Sequence, residues 1–431
     1  MFSGSSAHTN GYSSHGRRRP RQRSRMARDY NGGGDGSFRV CSYPAASNSS
    51  TTATVSYTQQ SDGDRVAASH RGEYDRVYFQ SYSHIAIHEE MIKDHVRTDT
   101  YRAAIMRHQN FIAGKVVMDV GCGTGILAIF CAQAGARRVY AIEASDIAIQ
   151  ANEIVKENDL SDRVIVFHGR VEDVEIDEKV DVIISEWMGY MLLYESMLAS
   201  VIFARDKWLK HGGLILPSHA TLYMAPITNS ERYQESIDFW RDVYGIDMSA
   251  MLPLAKQSAF EDPVTETISG ENVLTWPHVV KYVDCYTVMA QELESITTKY
   301  KLASMMRAPL HGFAFWFDVE FDGPAVLPPK NHLLFPPGNS SSDLYSHGGS
   351  IQRKRRCRAD ETVILSTAPE DAPTHWQQTI VYFYDPIEVN QDQVIEGSVT
   401  LSQSMENPRF LNIHLEYSSG GRSFIKESVL R

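Results

Sequence analysis

Cysteine is scarce and scattered in this chain: five thiols in 431 residues, at Cys41, Cys122, Cys131, Cys285 and Cys357, with no Cys-x-x-Cys pair and no metal-ligand spacing. That argues against a disulfide framework and against structural zinc, so reduced thiols in an intracellular protein and no metal are expected. No apolar h-region follows the polar opening Met1-Phe-Ser-Gly-Ser-Ser6, so a secretory leader is not expected. A run of about 20 apolar residues is also missing, and with it any expectation of a membrane span. Lysine is absent from residues 1–70, where nine Arg stand against four Asp for a net of +5. Of the chain's 42 basic and 53 acidic residues, 33 and 49 remain for the rest, a net of −16. An acidic body argues against nucleic acid as the main ligand and favours basic protein partners, although acidity also simply aids solubility.

Residues 1–70 are rich in Ser, Gly, Arg and Asn without a sustained apolar period, the composition of a disordered tail. Within them Arg17-Arg-Arg-Pro-Arg-Gln-Arg-Ser-Arg25 reads either as a nuclear import signal or as a solvated basic tail. From about Asp75 to about His108 the pattern is helical. Short apolar runs then alternate with helical stretches: Val116–Val120, Arg138–Glu143, Val164–Gly169, Val180–Ser185 and Leu214–Leu216. This alternation predicts an α/β domain, a parallel sheet covered by helices on both faces. Lys210-His-Gly-Gly213 is expected to end the helix after Glu195, and Pro217 marks a change of style. Beyond it, alternating strands at His311–Phe321, Ile380–Tyr384, Val394–Ser402 and Phe410–Tyr417 predict an antiparallel, barrel-like β-domain. An aromatic-rich helical arm, about 230–262, interrupts that domain, either as a dimer contact or as local packing. Residues 323–373, with their Pro-Pro pairs and the basic run Arg353–Arg358, are expected to hold a flexible insertion. The expected divisions are therefore 1–70, 71–217 and 218–431.

Two glutamates nine positions apart, Glu186 and Glu195, carry the strongest chemical signal. On one continuous helix nine residues amount to about 900° of rotation, which puts the carboxylates on opposite faces. They meet only if the chain doubles back, and Gly189 is expected to supply the backbone freedom for that. Two carboxylates in one pocket share a proton or grip a cation. A planar guanidinium, with five fixed donors, suits such a clamp better than an ammonium.

Upstream, Val116-Val-Met-Asp-Val120 runs into Gly121-Cys-Gly-Thr-Gly125 and then into a helix. Glycines at a strand-to-helix turn let a ligand approach the backbone closely. A dinucleotide fingerprint requires glycine at position 126, where Ile126 stands. Strict alternation, with Asp119 just before it, suits a nucleoside without a pyrophosphate. Glu143, 22 residues after Gly121 at the end of the second strand, is placed to accept both ribose hydroxyls. Glu172 either accepts from an adenine amino group or belongs to the acidic stretch Glu172–Glu178. Together the spacing points to S-adenosylmethionine.

These residues resemble the protein arginine N-methyltransferase family over roughly Asp75 to the C-terminus. The resemblance rests on Tyr78-Phe-Gln-Ser-Tyr82, the strand with its glycine loop, the paired-glutamate loop and Thr374-His375-Trp376. Within the family the central sequence is most similar to the subfamily numbered six. The resemblance implies a Rossmann-like domain of the seven-stranded methyltransferase type, followed by an antiparallel β-barrel-like domain with a helical dimerisation arm. It implies Tyr78 and Tyr82 on a lid helix, His88 beside the cofactor and Arg97 on its methionine carboxylate. Asp119, Gly121, Gly123, Glu143, Val171 and Glu172 complete the implied cofactor site. Glu186 and Glu195 would hold the substrate guanidinium, and His375 with Asp94 would accept a proton. Met91 and Met197 match methionines that flank the site in type I enzymes, which form ω-NG-mono- and asymmetric dimethylarginine.

The expected partners are arginine-rich proteins such as histone tails and a second copy of the chain, with no membrane and no direct nucleic acid. The expected location is the nucleus, with the cytoplasm second. Two rival readings remain, a non-catalytic scaffold of the same fold and a small-molecule methyltransferase. The intact acids argue against the first, the acidic body and the guanidinium clamp against the second.

Overall fold

Five short apolar strands build the first layer: β1 (Val116–Val120), β2 (Arg138–Glu143), β3 (Val164–His168), β4 (Val180–Ile184) and β5 (Leu209–Leu216). They pair in parallel in the order β3-β2-β1-β4-β5. All five residues of β1 are buried, as a central strand covered on both faces requires. The computed structural model describes residues 72, 74–323 and 362–431, and all of these belong to one unit. The basic cluster 17–25, Cys41, the basic run 353–358 and Cys357 lie outside the described residues.

Four helices precede the sheet: α1 (74–81), α2 (Ile85–Lys93), α3 (His95–Arg107) and α4 (Gln109–Ile112). Between and after the strands come α5 (Ile126–Gln133), α6 (Ile147–Glu157) and α7 (Leu198–Trp208). The fold class expected from the alternation stands, but the parallel sheet has five strands. The expected helix stop at Lys210–Gly213 is corrected: α7 ends at Trp208, and those residues open β5. Only the Leu214–Leu216 end of β5 is buried, so its polar first half carries no apolar signal.

The chain then changes to antiparallel pairing. One sheet runs β7-β12-β10-β6-β8, with β11 on the end of β10. Its strands are β6 (His219–Ile227), β7 (Val264–Glu266), β8 (His278–Asp284), β10 (Ala308–Phe321), β11 (Val363–Ser366) and β12 (Gln378–Val389). The other runs β15-β14-β13-β9 and comprises β9 (Ser295–Ala303), β13 (Val394–Gln403), β14 (Leu411–Ser419) and β15 (Arg422–Leu430). Phe313 and Phe383 of the first sheet pack on Tyr417 of the second, the latter pair stacked with ring centroids 4.0 Å apart. The expected barrel is thus two sheets face to face, with no described strand pairing joining them. Within the stretch 323–373, residues 324–361 lie outside the described residues and β11 forms at its end.

The arm forms as expected, as α8 (Ser230–Ser236), two short 3-10 turns and α9 (Leu252–Phe260). Its Ile237 and Phe260 are buried in one cluster with Ala314, Trp316, Ile380 and Tyr382. The arm thus covers the second face of β10, burying Ala314 and Trp316. The main core is continuous across both halves, running from the β1 region through Trp187 to Phe317 and Trp376.

Candidate active site

β1 leads outward to β2 and β3, whereas its other neighbour β4 leads the opposite way to β5. An open α/β sheet binds ligands beyond the carboxyl ends of such a strand pair. From the end of β1 comes the glycine loop, from the end of β4 the paired-glutamate loop, and both line one cleft. It encloses about 1080 Å³ counted to its open mouth. The glycine loop and the acid pair thus face one opening.

Gly121, Gly123 and Gly125 all take left-handed backbone, with φ of 71°, 54° and 84°. A Cβ on Gly121 would collide with Met197 Cε, and one on Gly123 would press to 3.1 Å from the His88 ring. The Glu143 carboxylate accepts from the Gly123 amide at 2.9 Å and the Ser145 amide at 2.8 Å. Those bonds fix it while leaving about half of its roughly four lone-pair sites for diol hydroxyls. Glu172 accepts from Ser200 Oγ at 2.7 Å, and buried Val171 beside it also lines the cleft. His88 Nε2 lies 2.7 Å from the Tyr82 carbonyl. A loop that favours glycine at positions 121, 123 and 125, beside an oriented carboxylate, fits a nucleoside.

The chain does double back between Glu186 and Glu195: the Gly189 amide donates to the Leu192 carbonyl at 3.2 Å. The expected role of Gly189 is corrected, however. It is Met191, Leu192, Glu195 and Ser196 that take left-handed backbone, with φ of 53°, 65°, 74° and 57°. Gly189 serves close approach instead, since an added Cβ would collide with the Tyr194 carbonyl.

Both acids line the cleft and each is held from the N-terminal helices. Glu186 Oε2 accepts from Arg97 Nε at 3.3 Å and Nη2 at 3.1 Å, with both side chains almost fully buried. Glu195 Oε2 accepts from the Tyr78 hydroxyl at 2.8 Å and the Tyr82 hydroxyl at 2.7 Å. Burial pushes Glu195 up from the usual carboxylate range, while those two hydroxyls oppose it and the Glu186 charge adds to it. The Arg97 guanidinium, expected on a ligand carboxylate, is therefore engaged by Glu186. A buried cation needs an anion, and Glu186 is within its reach. Met91 packs beside it, its Sδ 3.9 Å from Arg97 Nη2, and lines the cleft with Met197.

Asp119 does not line the cleft, which corrects the expectation. It is fully buried within β1. Successive strand residues face opposite ways, and the next residue, Val120, is the one on the cleft. Burial pushes the Asp119 carboxyl up to about 7, opposed by a backbone hydrogen bond from Ala128 and helped by the Glu143 charge.

His375 and Asp94 come together as expected: Asp94 Oδ2 accepts from His375 Nδ1 at 2.7 Å and from the His375 amide at 2.9 Å. Oδ1 caps α3 by accepting from the Arg97 amide at 2.9 Å. Against burial, the bonds from His375 and that amide hold Asp94 below the usual range. Neither residue is on the cleft wall, but Trp376 donates to the Met188 carbonyl at 2.9 Å and so ties their loop to the paired-glutamate loop. Sequence reasoning missed Arg409, which lines the cleft and donates to the Glu195 carbonyl at 2.9 Å. Among the described residues His219, Glu320 and Asp322 bring ligand-type atoms within 4.8 Å of one another, but none of them is on the cleft.

Residues 218–329 and 353–422 match the model of the arginine methyltransferase oligomerization subdomain, and residues 100–218 match that of the ribosomal protein L11 methyltransferase. A probable protein arginine N-methyltransferase 6 of Arabidopsis thaliana is 71% identical over 83% of this chain and 82% of its own length. The protein arginine N-methyltransferase 6 of Danio rerio is 44% identical over 81% and 91%. The Trypanosoma brucei PRMT1 enzyme–prozyme heterotetrameric complex with AdoHcy superimposes with a TM-score of 0.68. It is 34% identical, over 82% of this chain and all of that one. With a glycine-rich loop and two acids lining one cleft, this chain belongs to the protein arginine N-methyltransferase family, enzymes that carry methyl from S-adenosylmethionine to arginine.

Proposed function

We propose that this chain is a type I member, forming ω-NG-mono- and asymmetric dimethylarginine in arginine-rich nuclear proteins such as histone tails. The observation that carries the reading is that Glu186 and Glu195, from one loop, both line the cleft that holds the glycine loop and Glu143. The AdoHcy of the T. brucei relative supports the cofactor assignment. Glu143 and Glu172 would hold ribose and adenine, His88, Gly121, Gly123 and Val171 would wall the nucleoside, and Arg97 would face the amino-acid end. Met91 and Met197 would limit the room around a nitrogen already methylated.

S-adenosylmethionine, when bound, supplies a sulfonium methyl that is already electrophilic. The task left to the side chains is alignment, which supplies up to about 7–11 kcal/mol in favourable cases. An arginine keeps its proton at neutral pH, its pKa lying above about 12, so no strong base acts first. Glu186 and Glu195 draw positive charge toward the nitrogens they bind and leave the reacting lone pair less delocalised. His375 then stands as proton acceptor. An ionised Asp94 can only accept, so it takes the Nδ1 proton and leaves Nε2 as the ring nitrogen that would receive one.

A second copy of the chain is the proposed assembly, on the support of the oligomerization-subdomain match and the arm's exposed Phe239, Tyr244 and Leu254. Nuclear location draws support from the cluster 17–25. Labelled S-adenosylmethionine with a histone-tail peptide and an RGG peptide tests the activity, and mass spectrometry reads the products. Asymmetric dimethylarginine is expected. Symmetric product would overturn the type I assignment, and no transfer to either peptide would overturn the substrate class. Glu186→Gln and Glu195→Gln should each lower turnover about 100-fold, the scale of a misplaced reactant, with cofactor affinity kept.

A further inference from the structure

We infer that Arg409 is a positioning residue for Glu195, and that Asp75 couples it to the adenine side of the cleft through Arg170. The inference rests on the reading of Glu195 as a guanidinium ligand. Arg409 sits in the turn between β13 and β14. Its Nη1 donates to the Glu195 carbonyl, and its own carbonyl accepts the Glu195 amide, both at 2.9 Å. Next door, Ser196 Oγ donates to the Pro408 carbonyl at 2.6 Å, and Gln403 Nε2 donates to Ser196 Oγ at 3.1 Å. Glu195 and Ser196 are both left-handed, a conformation that non-glycine residues hold only where their surroundings over-determine it. The β13–β14 turn supplies that determination.

The same guanidinium lies 3.7 Å above the Tyr78 ring, the donor to Glu195 Oε2. Its other edge, Nε at 3.1 Å and Nη2 at 2.7 Å, donates to Asp75 Oδ1 on α1. Asp75 Oδ2 accepts from Arg170 Nη1 at 2.8 Å, and Arg170 Nε reaches Glu172 Oε2 at 3.4 Å. A row of alternating charge therefore runs from Glu172 through Arg170 and Asp75 to Arg409, and ends on the backbone of Glu195. Asp75 and Arg409 are each 17% exposed in their side chains, so solvent screens this pair only in part. A lysine has no planar fork and cannot bond Asp75 and the Glu195 carbonyl in this geometry.

Charge gives a readout that simple scaffolding does not move. The groups facing Glu195 are Tyr78 and Tyr82 from the N-terminal segment, Tyr190 and Glu186 from its own loop, and Arg409 from the turn. Arg409 is the cation among them and lowers the Glu195 pKa; Glu186 raises it. Losing Arg409 therefore raises that pKa further, and the acid limb of kcat/KM must move to higher pH.

The test uses the full chain with Arg409→Lys, Arg409→Gln, Asp75→Asn and Glu195→Gln, measuring kcat, peptide KM, cofactor Kd and the pH profile. Arg409→Lys and Arg409→Gln should lower kcat at least tenfold with cofactor Kd within threefold. Only Arg409→Gln should shift the acid limb upward. Asp75→Asn should weaken cofactor binding as well as turnover, since it releases both arginines. Arg409 variants with kcat within twofold of the parent and an unmoved acid limb would overturn the inference, provided Glu195→Gln loses turnover. So would a loss that follows melting temperature alone and vanishes on cooling. If Glu195→Gln itself keeps normal turnover, it is the clamp reading that fails.

Discussion

Gly189 stands at a point where the returning chain leaves no space for a side chain. Gly189→Ala should cost about 1–3 kcal/mol, the usual penalty for forcing a group into a packed site. Turnover should fall with it, because the Tyr194 carbonyl must give way beside Glu195. Denaturant unfolding together with the methylation assay checks both, and an unchanged pair of values would refute the close-approach account. Asp119 gives a pH test. Its folded pKa of about 7 lies above the ordinary aspartate value, so the folded state holds the proton longer than the unfolded chain does. Stability from this group is then full at low pH and is lost as pH rises toward 7, by about 1.4 kcal/mol per unit at most. Asp119→Asn, which cannot ionise, should gain on the parent in melting temperature between pH 4 and pH 8; a gap that does not widen would count against an ionising buried acid. Met91→Phe should shift product from asymmetric dimethylarginine toward monomethylarginine, read by mass spectrometry, and an unchanged ratio would discount the steric role. At this scale Glu143, the glycine loop and the acid pair were legible from spacing alone. The facing of Asp119 was not, because a strand buried on both sides shows no alternation to say which side a residue takes. Arg409 lies 214 residues from its partner and carried no local signal.

Whole elements tell a similar story. In β10 the odd positions of 311–321 are mainly large and apolar, which marks one face of the strand. Gly312, Ala314 and Trp316 occupy even positions, and the first two are too small to register as a second apolar face. The arm supplies the cover that a linear pattern cannot show, placing Ile237 and Phe260 around Trp316. Trp316→Ala should therefore cost about 3–5 kcal/mol, the range for a buried large aromatic. Chemical denaturation reads this directly, and a loss below 1 kcal/mol would mean that the arm does not pack there. Strand β5 failed for the opposite reason: its first residues are polar and exposed, so only its apolar end was visible.

Across the molecule, strand pairing changes from parallel at β5 to antiparallel at β6, on either side of Pro217, without separating the two halves. The hydrophobic core runs uninterrupted from one half to the other. The arm's outer side remains apolar, with Tyr244 99% and Leu254 60% exposed. If a second copy covers it, Tyr244→Glu combined with Leu254→Glu should convert the assembly to single chains in sedimentation velocity. A variant that sediments as the parent does would place the contact elsewhere.

The hydrogen bonds from the β13–β14 turn to Glu195 also have a bearing on biosynthesis. A ribosome-bound chain that has released its nucleoside loop and both acids still lacks the turn that sets one of them. The half-made molecule also lacks the half of the core contributed by the antiparallel sheets, against which the first half packs. If the turn sets Glu195 as inferred, methyl transfer waits until translation has passed well beyond the paired-glutamate loop.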